Sequence, residues 1–490
     1  MDLAQLAPGM SLPEASARLA IRGITADSRQ VEQGFVFAAL KGAKTDGAQF
    51  AVSAVEKGAS VVLTDPETAE RLKTLLPAHV VVLSEADPRR ALALMAARFH
   101  RRQPKVIAAV TGTSGKTSVA YFLRQIFQSC GHAAASLGTL GTVTSAGQSY
   151  GGLTTPDPVA LHRELAALAE SGVTHAAMEA SSHGLDQHRL DGVQLVAAGF
   201  TNLGRDHMDY HPTVEDYLQA KLRLFRDLVP TGGAVVVDPG EAYADRVVAV
   251  AKERCLRLFT VGETGKDLTL SGLKAGPAGQ LLTVDTARGR YQVTLPLIGR
   301  FQVSNALIAA GLAITCGEDT GAVLRALENL RGAPGRLEFA GRTGNGATVI
   351  IDYAHKPDAL ENALAALRPF TTGQLKVVVG CGGDRDPGKR PIMGRIATER
   401  ADVVYITDDN PRSEDPATIR AAMLAEAPGA IEIGDRGQAI AEAVRSLQAG
   451  DVLCIAGKGH ETGQIVGDRV LPFSDHEAVK AALATGAPTA

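Results

Sequence analysis

A short apolar run at residues 106–110 passes directly into Thr111-Gly112-Thr113-Ser114-Gly115-Lys116-Thr117-Ser118, and a helical pattern then continues over 117–130. Strand, tight glycine turn and helix in that order constrain the fold more than any other stretch, because the turn must set a helix start against a strand end. Glycines let backbone N–H groups turn toward an anion, the helix start adds its positive end, and Lys116 adds a point charge. Thr117 offers a hydroxyl to Mg²⁺. The spacing is GxxGKT, shorter than the general GxxxxGK[ST] phosphate loop. A glycine turn with a chance lysine is the plain alternative, and the flanking strand and helix weigh against it.

The same rhythm runs on. Short apolar runs at 35–40, 61–64, 80–83, 175–178, 197–201 and 234–237 read as strands, as do 349–351, 376–379, 403–407 and 452–455. Helical stretches separate them, which predicts mainly parallel α/β sheets with ligands at the strands' carboxyl ends. Arg101-Arg102-Gln103-Pro104 and Gly332-Ala333-Pro334-Gly335 read as junctions, so three domains are expected: 1–101, 102–333 and 334–490. A chain of 490 residues, 45% of them hydrophobic, can build several cores. A net charge of −3 gives no basic field for nucleic acid. Five irregularly spaced cysteines (Cys130, Cys255, Cys316, Cys381, Cys454) lack a disulfide or CxxC pattern and read as reduced thiols. The first twenty residues carry no basic, then apolar, export signal, and no apolar run is long enough for a membrane span. A cytoplasmic monomer is expected. The small-residue tail, 484–490, reads as frayed, and no internal repeat stands out.

Glu179 closes a strand, and Thr201-Asn202-Leu203-Gly204-Arg205-Asp206-His207-Met208-Asp209-Tyr210-His211 follows another. Lys221 comes about three helical turns later. A carboxylate opposite the phosphate loop could ligate Mg²⁺. Singly, each is more ordinary: a capping Glu, a solvated loop His, a helix-surface Lys.

Taken in order, these segments resemble the Mur ligase family. The shortened phosphate loop resembles both Mur ligases and folylpolyglutamate synthetases, while the stretch from Asn202 to Lys221 is similar to the Mur pattern NLxxDHxDYH…K. The resemblance implies ATP held by Gly112, Thr113, Ser114, Gly115, Lys116, Thr117 and Ser118. It also implies Mg²⁺ held by Thr117, Glu179, His207 and Lys221, the lysine as a carbamate. A carbamate turns an amine into an anionic oxygen ligand, which Mg²⁺ prefers.

Other segments add to the likeness. Asp27-Ser28-Arg29 resembles the family's uridine-binding DSR, with Ser28 the residue to carry over and the 43–45 loop a weaker candidate. Thr154-Thr155-Pro156-Asp157 matches TTPD, although Pro and Asp also suit a helix start. Ser181, Gln187 and Arg189 of SSHGLDQHR would complete a surface for the muramoyl-dipeptide. Asn305, Arg336, and Asp352 with His355 resemble FNxxNxxAA, PGRxE and DYAHxPD, which implies further ATP contacts and a charge-stabilising role for Arg336. Three late loops, GGDRD at 382–386, DDNPR at 408–412 and GKGHE at 457–461, all follow predicted strands and should meet at one sheet edge. Arg385 and Arg412 offer cationic forks, and Asp409 and Glu461 offer anions, a mix suited to an amphoteric amino acid. Asp409-Asn410-Pro411-Arg412 resembles the diaminopimelate-selecting motif of this family, with Gly457 alongside.

The resemblance implies a small α/β N-terminal domain, a central P-loop parallel-sheet ATPase domain and a C-terminal Rossmann-like domain. It implies an ATP- and Mg²⁺-dependent ligase joining meso-diaminopimelate to UDP-MurNAc-L-Ala-D-Glu through an acyl phosphate, in peptidoglycan precursor synthesis. Lys116, Lys221, His207 and Arg336 would be catalytic. Lysine-adding and folylpolyglutamate ligases are the alternatives from the same chemistry, and an ATP-hydrolysing binding module is one from another class. No motif was found over about 240–295.

Overall fold

The computed structural model describes residues 1–490 except 11, 43, 44, 150, 151, 205, 209, 277, 278 and 486–490. Ala43 and Lys44 of the weaker uridine candidate, Arg205 and Asp209 of the His207 segment, and the end of the tail thus lie outside the described residues. The chain divides into two compact units, Met1–Lys266 with Ile308–Val323, and Asp267–Leu307 with Leu324–Ala490.

The first unit opens with a parallel sheet of β1 (Gly23–Thr25), β2 (Phe35–Ala38), β3 (Ala59–Thr64) and β4 (Val81–Ser84). A larger sheet follows, built from β5 (Val106–Thr111), β6 (Ala134–Gly138), β7 (Gly141–Thr144), β8 (Gly147–Ser149), β9 (His175–Glu179), β10 (Ala197–Phe200), β11 (Ala234–Val237) and β12 (Arg257–Gly262). Its order is β12-β11-β10-β5-β9-β6-β7-β8, parallel except for the β6-β7-β8 meander. Every residue of β9, β10 and β11 is buried, as expected for strands covered on both faces.

Helix Lys116–Ser129 buries Val119, Phe122, Leu123, Ile126 and Phe127, a stripe at helical spacing. Each such side chain contributes about 1.5–3 kcal/mol by leaving water. Helix Pro158–Glu170 is capped by Asp157, whose carboxylate accepts from Val159 and Ala160 N–H. The TTPD segment is therefore a helix start as well as a site candidate. Helix Val214–Arg223 begins with a capping box from Thr213 and Asp216 and carries Lys221 in its last turn.

The second unit begins where no motif was found, and the reason is visible. Three strands, β13 (Leu268–Gly276), β14 (Gly279–Thr286) and β15 (Gly289–Leu295), pair there in an antiparallel meander. A mainly parallel sheet follows, in the order β16-β17-β21-β18-β19-β20. Its strands are β16 (Glu338–Arg342), β17 (Thr348–Asp352), β18 (Leu375–Val379), β19 (Val403–Ile406), β20 (Ile431–Glu432) and β21 (Val452–Ala456), with only β16 antiparallel. A hairpin, β22 (Gly463–Val466) with β23 (Arg469–Pro472), follows. Strand-by-strand, the expected ends are met within about two residues.

Candidate active site

Parallel register explains why chemistry collects at one edge of the central sheet. Val110 of β5 stands opposite Glu179 of β9 and Gly199 of β10, so three strands end together. Beyond β5 the chain turns at Gly112 (φ 148°), where a Cβ would lie 1.9 Å from Thr201 Oγ1. Gly115 (φ 86°) then starts the helix in a left-handed conformation. The segment after β10 cradles this loop. Ser114 N–H donates to Asn202 Oδ1 (3.0 Å), Thr201 Oγ1 donates to Ser114 O (2.6 Å), and Gly204 N–H donates to Thr113 Oγ1 (2.9 Å). Asn202 therefore holds the loop, a role that its motif alone does not reveal. Lys116 Nζ donates to Gly112 O and Thr113 O, both at 2.8 Å, and lies across the loop mouth. Ser118, two residues on, is buried.

Lys221 comes to the same carbonyl. Its Nζ donates to Gly112 O at 2.7 Å and lies 4.2 Å from the Tyr217 ring centroid, with the side chain only 1% exposed. Burial first, and then the Lys116 charge, hold its ammonium pKa well below the ordinary lysine value. The solvated-surface reading of Lys221 is thereby corrected: this is an amine stripped of water. Tyr217, which the sequence reading passed over, supports both parts, since its hydroxyl lies 3.2 Å from Thr113 Oγ1.

Glu179 faces the loop from β9. Its Oε2 accepts from Thr117 Oγ1 (3.1 Å), and its Oε1 accepts from Thr139 N–H (2.7 Å). Thr139 Oγ1 lies 3.0 Å from Thr154 Oγ1. Thr155 donates to Glu179 O (3.1 Å) and accepts from both N–H and Oγ of Ser181. Arg189 donates to Thr155 O (2.7 Å) and Gln187 Oε1 (2.8 Å), and Gln187 reaches the Tyr210 hydroxyl (3.1 Å). The separate segments TTPD and SSHGLDQHR are thus one network rooted on the Glu179 strand end. His207 sits on a left-handed residue (φ 55°), its Nε2 3.5 Å from Asp206 Oδ2 and its ring edge-on to His183 at 4.8 Å. Ser28 lies in the loop after β1, where its carbonyl accepts from Lys57 Nζ (3.0 Å). None of the contacts described here joins it to the phosphate-loop network.

In the second unit the register again aligns strand ends: Asp352 with Ala456, Val378 with Ile455, and Val379 with Ile406. The loops after β17, β18, β19 and β21 therefore meet. Gly335 packs so tightly that a Cβ would fall 2.6 Å from Gly459 Cα. Arg336 lies 4.8 Å from the Tyr353 ring centroid, and its carbonyl accepts from Gln302, which in turn accepts from Asn305 Nδ2 (3.1 Å). Buried Asp352 accepts from Leu337 N–H (2.6 Å), and burial pushes its carboxyl up to about 6 despite Arg336 nearby. Burial lowers His355 to about 4, and its carbonyl accepts from Lys389 Nζ (2.7 Å).

Asn410 is the hub of the late loops. Its Nδ2 donates to Glu461 Oε2 (2.9 Å), and its Oδ1 accepts from Lys458 Nζ (3.1 Å) and Ile465 N–H (2.9 Å). Lys458 is fully buried and also reaches Glu461 Oε2 (3.1 Å). Pro411 is buried, and Arg412 (φ 53°) donates to Gly383 O (2.7 Å), while Arg385 is exposed. Asp409 departs from expectation. It is buried under Gly457, where a Cβ would lie 2.6 Å from its Oδ2, and burial raises its pKa. It supports the loops from beneath, whereas Glu461 is only partly buried.

A phosphate loop beside a desolvated lysine, and a second sheet edge where Asn410, Arg412, Lys458 and Glu461 gather, fit a nucleotide-dependent ligase. Family profiles agree: the Mur ligase family catalytic domain matches residues 20–100, the Mur ligase middle domain 110–313, and the Mur ligase glutamate ligase domain 335–459. The chain is 58% identical over 469 residues to the UDP-N-acetylmuramoyl-L-alanyl-D-glutamate--2,6-diaminopimelate ligase of Mesorhizobium japonicum, covering 96% of each. It is 57% identical to the Bradyrhizobium diazoefficiens protein of that name, covering 97% of each. A solved structure of a ligase of the same name matches over 100% of both chains with a TM-score of 0.76 at 33% identity. The chain belongs to the Mur ligase family, with its three-domain α/β architecture.

Proposed function

We propose that this protein uses ATP to join meso-diaminopimelate to the D-glutamate carboxylate of UDP-MurNAc-L-Ala-D-Glu, in the synthesis of peptidoglycan precursors. The observation that carries the reading is Lys221 Nζ, water-free and 2.7 Å from the carbonyl that opens the phosphate loop. Relatives at 57–58% identity named for this reaction support it.

ATP would lie along Gly112–Ser118, with Lys116 moving from its loop carbonyls to the phosphates. Arg336, Asn305, Asp352 and His355 are also assigned to ATP. Thr117, Glu179, His207 and Lys221 as its carbamate would hold Mg²⁺. The donors suit it, because the hydroxyl and carboxylate already converge at 3.1 Å and a neutral amine is the form that reacts with CO₂. When bound, the ion would neutralise charge on the phosphoryl oxygens. Thr154, Thr155, Ser181, Gln187 and Arg189 would orient the muramoyl-dipeptide, with Ser28 toward the uridine. The glutamate carboxylate attacks the γ-phosphorus, ADP leaves, and Lys116 and Arg336 stabilise the developing charge. The amine then attacks the acyl phosphate, and phosphate is expelled as the amide forms. Arg412 and Arg385 would take the distal carboxylate of diaminopimelate, while Glu461, steadied by Asn410 above Pro411 and Gly457, would take its ammonium. We divide the chain at 1–101, 102–333 and 334–490 for these three roles.

Incubation with ATP, Mg²⁺, UDP-MurNAc-L-Ala-D-Glu and meso-diaminopimelate should yield the tripeptide with one ADP per amide. Equal kcat/KM for L-lysine would overturn the amino-acid assignment and leave the ligase reading in place.

A further inference from the structure

The first unit carries a second group of donors at the opposite end of β9 from Glu179. His132 follows helix Lys116–Ser129, His175 opens β9, and Glu318 follows the helix that ends at Thr315. The two imidazoles stack with centroids 3.8 Å apart and planes 27° apart. Both address one oxygen: Glu318 Oε1 lies 2.8 Å from His132 Nε2 and 3.9 Å from His175 Nε2. One donor atom from each residue lies within 4.8 Å of the others. Hydrogen bonding alone serves this set poorly, because the second nitrogen stands beyond hydrogen-bond range of the oxygen it faces.

Neighbouring groups prepare the site. Thr174 Oγ1 lies 3.3 Å from Ala133 O and 2.9 Å from His175 Nδ1. A hydroxyl that donates to the carbonyl accepts Nδ1–H, and this tautomer turns the Nε2 lone pair of His175 toward Glu318. The Phe127 ring, 4.8 Å from the His175 ring, limits its rotation.

We propose that His132, His175 and Glu318 form a binding site for a transition-metal dication, zinc by donor type. Two imidazoles and a carboxylate suit Zn²⁺, whereas Mg²⁺ favours six oxygens. Tetrahedral zinc with bonds of about 2.0–2.2 Å sets its ligand atoms about 3.3–3.5 Å apart, within the spread found here. The site is separate from the phosphate edge. His175 and Glu179 bound a five-residue strand, roughly 13 Å end to end at ~3.3 Å per residue. A metal there would tie the rear of the phosphate-loop helix to β9 and to the segment carrying Glu318.

The test is equilibrium dialysis of the full chain against Zn²⁺ with Mg²⁺ in excess, alongside thermal unfolding. Wild type should bind one zinc more than His132→Ala or Glu318→Gln, and zinc should raise Tm in wild type only. The same difference should persist in a His207→Ala background, which separates it from zinc at the phosphate edge. Thr174→Val keeps every ligand and should weaken zinc about 10–100-fold. His132→Ala should retain Mg²⁺-dependent ligase activity. Equal zinc stoichiometry and affinity in wild type, His132→Ala and Thr174→Val would overturn the proposal, even if His175→Ala failed to fold.

Discussion

Lys221 shows what a single side chain carries here. Its motif placed it near the chemistry, but its desolvation is a tertiary fact, since the phosphate loop and Tyr217 that enclose it come from elsewhere in the chain. Lys221→Ala should cost on the order of 10²-fold or more in kcat, exceeding the loss typical of a metal's outer partners. ¹³C-labelled bicarbonate should give a carbamate signal in wild type and none in the variant. A bare amine in active, nucleotide-loaded enzyme would remove the carbamate from the mechanism. Asp352 gives a pH signature. Its carboxyl is raised from 3.8 to about 6, so the folded state holds the proton more tightly than the unfolded chain does. The stability from that proton is full below about pH 4 and is lost as pH rises through about 6, a change of about 3 kcal/mol. Urea melts across pH 3.5–7 should show this fall in wild type and a flatter profile in Asp352→Asn. Parallel profiles would refute the assignment. By contrast, nothing local in Asp409-Asn410-Pro411-Arg412 marks Asp409 as buried and Asn410 as the hub, because the residues that decide it, Gly457 and Lys458, arrive from another strand end.

At the level of elements, legibility followed burial. β11 is buried throughout and reads as an unbroken apolar run, and β18, also buried throughout, is apolar but for Lys376. The β13-β14-β15 meander instead mixes exposed and buried residues around glycine turns, so no run or helical period marked it. Elements are also joined by a pair that sequence spacing could not suggest. Arg436, in helix Arg436–Arg445, donates to both carboxylate oxygens of Asp475 (2.7 and 2.8 Å) and to Ala456 O (3.0 Å). Both ionic side chains are fully buried. Arg436→Ala leaves Asp475 buried and unpaired, which should destabilise the protein by about 3–5 kcal/mol. Because the bond to Ala456 O sits just before Gly457, the KM for the amino acid should rise as well. A loss under about 1 kcal/mol in chemical denaturation would show that the pair is dispensable.

Across the molecule, the phosphate loop with Lys116 and the loops assigned to the incoming amino acid lie in different compact units, so mutations at these two places should separate ATP use from amino-acid capture. Arg412→Ala should lower kcat/KM for diaminopimelate by about 10²-fold, the scale of an uncompensated charge in a partly shielded site. ATP binding should stay near normal. Lys116→Ala should fold normally, lose ATP-dependent acyl-phosphate formation and still bind diaminopimelate. Isothermal titration of each ligand into each variant tests this. Loss of both ligands in either variant would deny the division of labour. The order of motifs along the chain suggests this division and puts 267–307 with the central domain, whereas the grouping of Asp267–Leu307 with the C-terminal sheet depends on packing alone.

The water-free amine of Lys221 also makes the protein chemically vulnerable. Most lysines are shielded from electrophiles at neutral pH by their proton, and burial weakens that shield here by lowering the ammonium pKa. Isocyanic acid has the same linear shape and electron count as CO₂ and can follow it to the nitrogen. The product is a urea, equal in outline to the carbamate but neutral and permanent, a counterfeit ligand that occupies the position without its charge. Small electrophiles of this kind are a starting point for covalent inhibitors, and bound nucleotide would be the natural protectant.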